Sequence, residues 1–170
     1  MYFPKHRVTL NIAETSYVLN SIHGLMTQNE DENYKISNEY HDGLLILFND
    51  CENLWNEDEW EAYKYMTTFN NFNRKWEVDR KAEWQINILD CDSIIFTFQY
   101  AFMRASKDFI NGDNNAQEVI KVMSQILIPR FTNSFSDNEW QYYFSLSDED
   151  IIEEEVIVVD LFNQDTQEII

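Results

Sequence analysis

From residue 131 to residue 170 the chain carries eleven Asp and Glu and no Lys or Arg. A second block, residues 8–63, holds twelve acids against the single base Lys35. Between them, residues 64–130 are close to neutral, with nine bases and eight acids, and the formal net charge is −19. Ionised carboxylates are costly to bury unpaired, so both acidic blocks must turn most of their polar residues to water. The core must then be assembled from the neutral middle and from apolar stripes within the acidic blocks. Leu, Ile, Val and Phe supply 48 of the 170 residues, well above the roughly 20% at which a highly charged chain stays disordered. The length fits one domain over 1–170, and no Pro/Gly/Ser-rich linker divides it.

The charge and the residue inventory exclude several classes. Nucleic-acid phosphates are gripped by Lys and Arg, so direct DNA or RNA binding is not expected, nor is binding to an anionic membrane surface. No apolar run has the length of a membrane span. MYFPKHRVTL lacks the apolar stretch of a signal peptide, so a cytoplasmic location is expected. Cys51 and Cys91 match neither a zinc pattern nor a disulfide framework and read as buried, reduced thiols. With three Gly and neither GxGxxG nor GxxxxGK[ST], the chain lacks the phosphate-cradling loops of the common nucleotide folds.

Periodicity gives the elements. Val8, Leu10 and Ile12 alternate as a strand. Val18, Ile22, Leu25 and Met26 follow helical spacing over 15–27. Ser37 can cap a second helix with Leu44, Phe48, Cys51 and Trp55 on one stripe, although 43–48 also suits a buried strand. Asn56 and Glu59 signal a helix start, followed by Ala62, Tyr65, Phe69, Phe72 and Trp76 at alternating spacings of three and four. A strand is expected over 83–89. Asp92 or Ser93 would then cap a long helix ending at Gly112, and Asn115 a further helix stopping at Ile128 before Pro129. Alternation of Trp140, Tyr142, Phe144 and Leu146 predicts a strand, 147–150 a turn, and 155–162 a last strand. The expected fold is α+β, an antiparallel sheet of about four strands packed against about five helices. EWQINIL at 83–89 and EWQYYFSL at 139–146 echo one another, which is weak evidence for a repeat.

Motifs for catalysis are scarce. His6, His23 and His41 form no HExxH or His–Cys ligand spacing, and there is no GxSxG elbow. The run of acids from Asp148 to Glu155 lacks the EF-hand spacing and its glycine. No catalytic residue, cofactor or metal is therefore assigned. What remains is acidity beside aromatics. Carboxylates at i and i+4 on a helix lie about 6 Å apart, comparable with the spacing of phosphates along a nucleic-acid strand. Such a surface suits a protein whose groove is lined with Lys and Arg.

The expected partner is accordingly a basic protein, a nuclease or its nucleic-acid-binding groove, contacted by two clusters. One is Glu57, Asp58, Glu59 and Trp60. The other is Asp137, Glu139 and Trp140, continued by Asp148, Glu149, Asp150, Glu153, Glu154 and Glu155. In general character the chain resembles phage-type anti-CRISPR and antirestriction proteins, which are small, acidic and one-domain. That resemblance implies a non-enzymatic, stoichiometric inhibitor with a nucleic-acid-mimicking surface. An immunity protein against a bacterial toxin nuclease fits the same composition. A metal-dependent hydrolase using the C-terminal carboxylates is the alternative from another class. The partner's identity and the oligomeric state are not encoded in these features.

Overall fold

The computed structural model describes residues 3–28, 35–69 and 80–146. Among them the chain runs β1 (His6–Leu10), α1 (Ile12–Thr27), α2 (Asn38–Glu52), α3 (Glu57–Phe69), β2 (Ala82–Ile86) and α4 (Ile88–Ile110). A long helix, α5, follows over 116–132, and α6 spans Asp137–Ser145. The expectation of about four strands is overturned. The described sheet has two, β1 and β2, paired antiparallel, and the rest is mostly helix. The coarser α+β description stands. A two-stranded ribbon is marginal alone. Here its inner face, Val8, Leu10, Ala82, Trp84 and Ile86, is buried, while Arg7, Thr9, Glu83 and Gln85 face out.

The expected strand at 140–146 is helix α6. Ser136 Oγ accepts from Glu139 N at 3.2 Å, and Glu139 Oε1 accepts from Ser136 N at 3.0 Å. This capping box satisfies amide donors that a helix start leaves open. Aromatic or apolar side chains at five of seven positions obey either period, so the cap decides. The expected strand 155–162, the turn at 147–150, and Phe72 and Trp76 lie outside the described residues. The start of α4 also differs. Asn87, not Asp92 or Ser93, caps it, its side chain accepting from Asp90 N at 2.8 Å. Gly112 follows the helix at φ 101°, the left-handed turn that favours glycine.

Pro129 does not end α5. Residues Met123–Leu127 form a π turn, with Ile128 N donating to Met123 O, and Ile128–Thr132 continue the helix. Proline removes one amide donor and crowds the preceding turn. A π turn takes in one extra residue and relieves both.

The echo between 83–89 and 139–146 joins a strand to a helix and is not a repeat. The structure contains a different one. The order β1-α1-α2-α3 recurs as β2-α4-α5-α6. Asn11 and Asn87, 76 residues apart, cap α1 and α4 through the same side-chain bond. The buried positions Ile12, Thr15, Val18, Ser21 and Ile22 of α1 match Ile88, Cys91, Ile94, Thr97 and Phe98 of α4 at that same separation. Further along the separation is 80. Asn53-Leu54-Trp55-Asn56-Glu57-Asp58-Glu59-Trp60 matches Asn133-Ser134-Phe135-Ser136-Asp137-Asn138-Glu139-Trp140, and residues 51–60 and 131–140 share one pattern of burial. Leu44 corresponds to Met123 and Leu47 to Leu127, so the π turn holds the one residue by which the separation grows between these pairs.

The strand register completes the argument. Val8 pairs with Trp84, and 76 residues also separate them. Each is both partner and counterpart of the other, so a local two-fold axis passes through this pair, perpendicular to the ribbon. Beneath it α1 and α4, themselves counterparts, pack together. Phe131 closes the core between them, edge-on to Phe98 at 5.0 Å and to Trp84 at 6.2 Å. Cys51, its counterpart, is also buried, and both cysteines are free. Burial raises both thiols well above their ordinary range. Phe131→Ala should lower the unfolding free energy by about 3–5 kcal/mol, measured by urea denaturation of the full chain.

Candidate functional site

The two clusters singled out from the sequence, 57–60 and 137–140, occupy equivalent places: the starts of α3 and α6. Each is anchored the same way. Asn56 Oδ1 accepts from Glu59 N at 2.8 Å and Glu59 Oε1 accepts from Asn56 N at 3.1 Å, as Ser136 and Glu139 do in the second unit. Trp60 Nε1 donates to Glu52 O at 3.0 Å, and Trp140 Nε1 to Thr132 O at 2.8 Å. Each indole thus adds a donor to a carbonyl at the end of the preceding helix, which also accepts a long bond from the amide three residues on. Both tryptophans are half-buried.

Each tip also receives a basic side chain from the ribbon. Arg80 forks onto Glu59 with contacts of 2.5 and 2.8 Å, donates to Leu54 O at 2.8 Å, and lies 4.2 Å over the Trp55 ring. His6 Nε2 lies 2.9 Å from Glu139 Oε2, and its ring is 4.5 Å from that of Phe135, the counterpart of Trp55. The bonds from Arg80 hold the Glu59 carboxyl below its ordinary range, against a smaller opposing effect of burial. Glu59, Trp60, Glu139 and Trp140 are therefore committed to the fold. Glu57, Asp58 and Asp137 are exposed. Asp148, Glu149, Asp150, Glu153, Glu154 and Glu155 lie outside the described residues.

The larger acidic surface is on α2 and α3. Glu39, Asp42, Asp50, Glu52, Glu57, Asp58 and Glu61 are all exposed, and no Lys or Arg occurs from 36 to 63. Among the described residues none of the seven pairs with Lys or Arg; His41 Nδ1 lies 4.0 Å from Asp42. Five of them, Glu39, Asp42, Asp50, Glu52 and Glu61, are absent from the clusters above. The −11 charge of residues 8–63 was the signal for them.

One position shows what this acidity costs. In the second unit Arg130 reaches across to Glu14 at 2.5 Å and to Thr9 O at 3.2 Å. The counterpart of Arg130 is Asp50, and that of Glu14 is Asp90. The place that holds a salt bridge on one side of the axis therefore holds two carboxylates on the other. Burial raises the Asp90 carboxyl, Lys5 opposes this, and Asp50 adds a smaller rise.

Outside the acids, Phe144 is 67% exposed and stacks on Trp140 at 5.6 Å. As a strand, 140–146 put Phe144 on Trp140's face by alternation; on the helix they meet at i and i+4. Among the described residues no group of three or more His, Cys, Asp or Glu is placed to hold a metal ion, and no helix is long and apolar enough to cross a membrane. Comparison with protein-family models, curated proteins and solved structures found no match to the chain.

A carboxyl whose pKa is raised by folding binds its proton more tightly in the native state. Its cost to stability is full above the folded pKa and is relieved as pH falls through it. Asp50→Arg should therefore stabilise the protein by about 0.5–1 kcal/mol at neutral pH. That gain should shrink as the pH is lowered and Asp90 takes up its proton, measured by urea denaturation across the acid range.

Proposed function

We propose that the protein is a non-enzymatic, stoichiometric inhibitor that binds a basic, nucleic-acid-handling enzyme through a carboxylate surface standing in for phosphates. The surface comprises the exposed acids of α2 and α3, the start of α6 with Asp137, and the acids of 148–155. The observation that carries this reading is the Asp50–Asp90 pair, where the same fold accommodates Arg130–Glu14 on its other side. An arginine at position 50 would give Asp90 the partner that Arg130 gives Glu14; the aspartate instead leaves residues 36–63 without a Lys or Arg. Stability given up at surface positions is a common mark of function.

The geometry fits the task. Glu57 and Glu61 are one helical turn apart, about 6 Å, and Asp58 and Glu52 extend the same charge. Individually such acids contribute little in water. Together they steer a basic partner and make association fast and salt-sensitive. In character this is the anti-CRISPR or antirestriction mode, occupying the groove that DNA or RNA would fill.

The test is capture of a nucleic-acid enzyme from the native host, followed by that enzyme's DNA- or RNA-binding assay with the inhibitor added. Nucleic-acid binding should be lost at low salt and largely restored at about 0.5 M salt, where the screening length falls to a few ångströms. The combined variant Asp50→Lys, Glu57→Lys, Asp58→Lys, Glu61→Lys should keep its helical circular dichroism and bind at least about a hundredfold more weakly. Equal affinity for the folded variant contradicts the proposal.

A further inference from the structure

We propose that the cleft between α1, α4 and the start of α5 binds a small aromatic ligand carrying a hydrogen-bond donor, a phenol or an aryl amine. The duplication supplies the comparison from which this follows. The equivalent groove in the first unit lies between α4 and α2, walled by Ser93, Phe96, Ile36 and Tyr40. There the protein provides its own ring. Tyr40 crosses from α2 to α4, its hydroxyl donating to Ser93 O at 3.3 Å, and meets Phe96 edge-on at 6.3 Å. The groove that remains above these rings is the more open of the two, about 450 Å³.

Across the axis these two rings are missing, and Tyr17 and Tyr100 stand at the sides of the space. Tyr40 corresponds to Val119, too short to cross, and Phe96 to Asn20. Tyr100 lines this cleft from α4, and its counterpart on α1, Gly24, adds no side chain where a Cβ would meet nothing within 4 Å. The result is a cleft of about 530 Å³, floored by Ala101, Ala105 and the buried Met123. That volume lies within the range of small-molecule sites, roughly 300–1,000 Å³. A thioether at the floor is a favourable neighbour for an aromatic ring. Asn20, Asp108 and Arg104 stand at the walls, so polar groups can orient a ligand whose body is apolar. Tyr17 takes the place of Ser93, its hydroxyl pushed up chiefly by burial and further by Glu118 and Tyr63.

The probe is 4-methylphenol, the tyrosine side chain as a free molecule, titrated into the ¹⁵N-labelled full chain. Saturable amide shifts are expected at Gly24, Ala101, Ala105 and Ala116. Val119→Tyr returns the missing ring from α5, and Gly24→Leu fills the same space from α1 with a better helix former. Each folded variant should lose about tenfold or more in affinity for the probe. The absence of saturable shifts at these residues in the natural chain overturns the proposal. So does undiminished binding by whichever variant retains the native spectrum.

Discussion

The pairing of Val8 with Trp84 organises the molecule. Two short strands cross their two-fold axis at this one pair of equivalent residues, and everything attached to them is placed by that choice. α1 and α4 leave the ribbon through identical asparagine caps and bury matching faces against each other. α3 and α6 return to opposite ends of the ribbon, where Arg80 and His6 hold their first turns. A register slip of one residue would turn Val8 and Leu10 outward and Arg7 and Thr9 inward. It would also remove the basic anchors from both helix starts. The ribbon is thus small in area and decisive in consequence.

What the two units do differently is where function is read. The frame is common, so a residue that departs from its counterpart is not demanded by the fold. Asp50 in place of an arginine extends the carboxylate surface of α2 and α3. Val119 in place of Tyr40 and Asn20 in place of Phe96 open a cleft. The first departure concentrates charge where no base intervenes between 36 and 63. The second creates space between α1 and the near-neutral α4 and α5. Two specialisations therefore sit on a shared scaffold.

Much of this was legible from the residues. The first strand, α1 and α2, the start of α3, Gly112 as a stop and the buried thiols follow from period, composition and capping chemistry, whereas α5 starts at Ala116 with no side-chain cap from Asn115. The failures have local causes. Trp140, Tyr142, Phe144 and Leu146 alternate because aromatics crowd the segment, while Ser136 and Glu139 set the helix. Pro129 reads as a terminator unless a π turn precedes it, and no residue type announces one. The duplication was hidden because counterparts keep their role and not their identity. Cys51 corresponds to Phe131, Thr15 to Cys91, and Glu59 is held by arginine where Glu139 is held by histidine. The acidic tips were found, but their glutamates serve capping and ion pairing first.

The two-fold arrangement is tested most directly by cross-linking the ribbon's exposed face. Arg7 pairs with Gln85 and Thr9 with Glu83, and the axis converts one pair into the other. Directly opposed residues on antiparallel strands lie about 4.5–5.5 Å apart, within disulfide reach. The double variants Arg7→Cys with Gln85→Cys and Thr9→Cys with Glu83→Cys should both oxidise to one intramolecular disulfide, at similar rates. Arg7→Cys with Glu83→Cys, a diagonal pair, should oxidise far more slowly. Preferential closure of the diagonal pair, with neither direct pair closing, would place the strands in another register and contradict the axis at Val8 and Trp84.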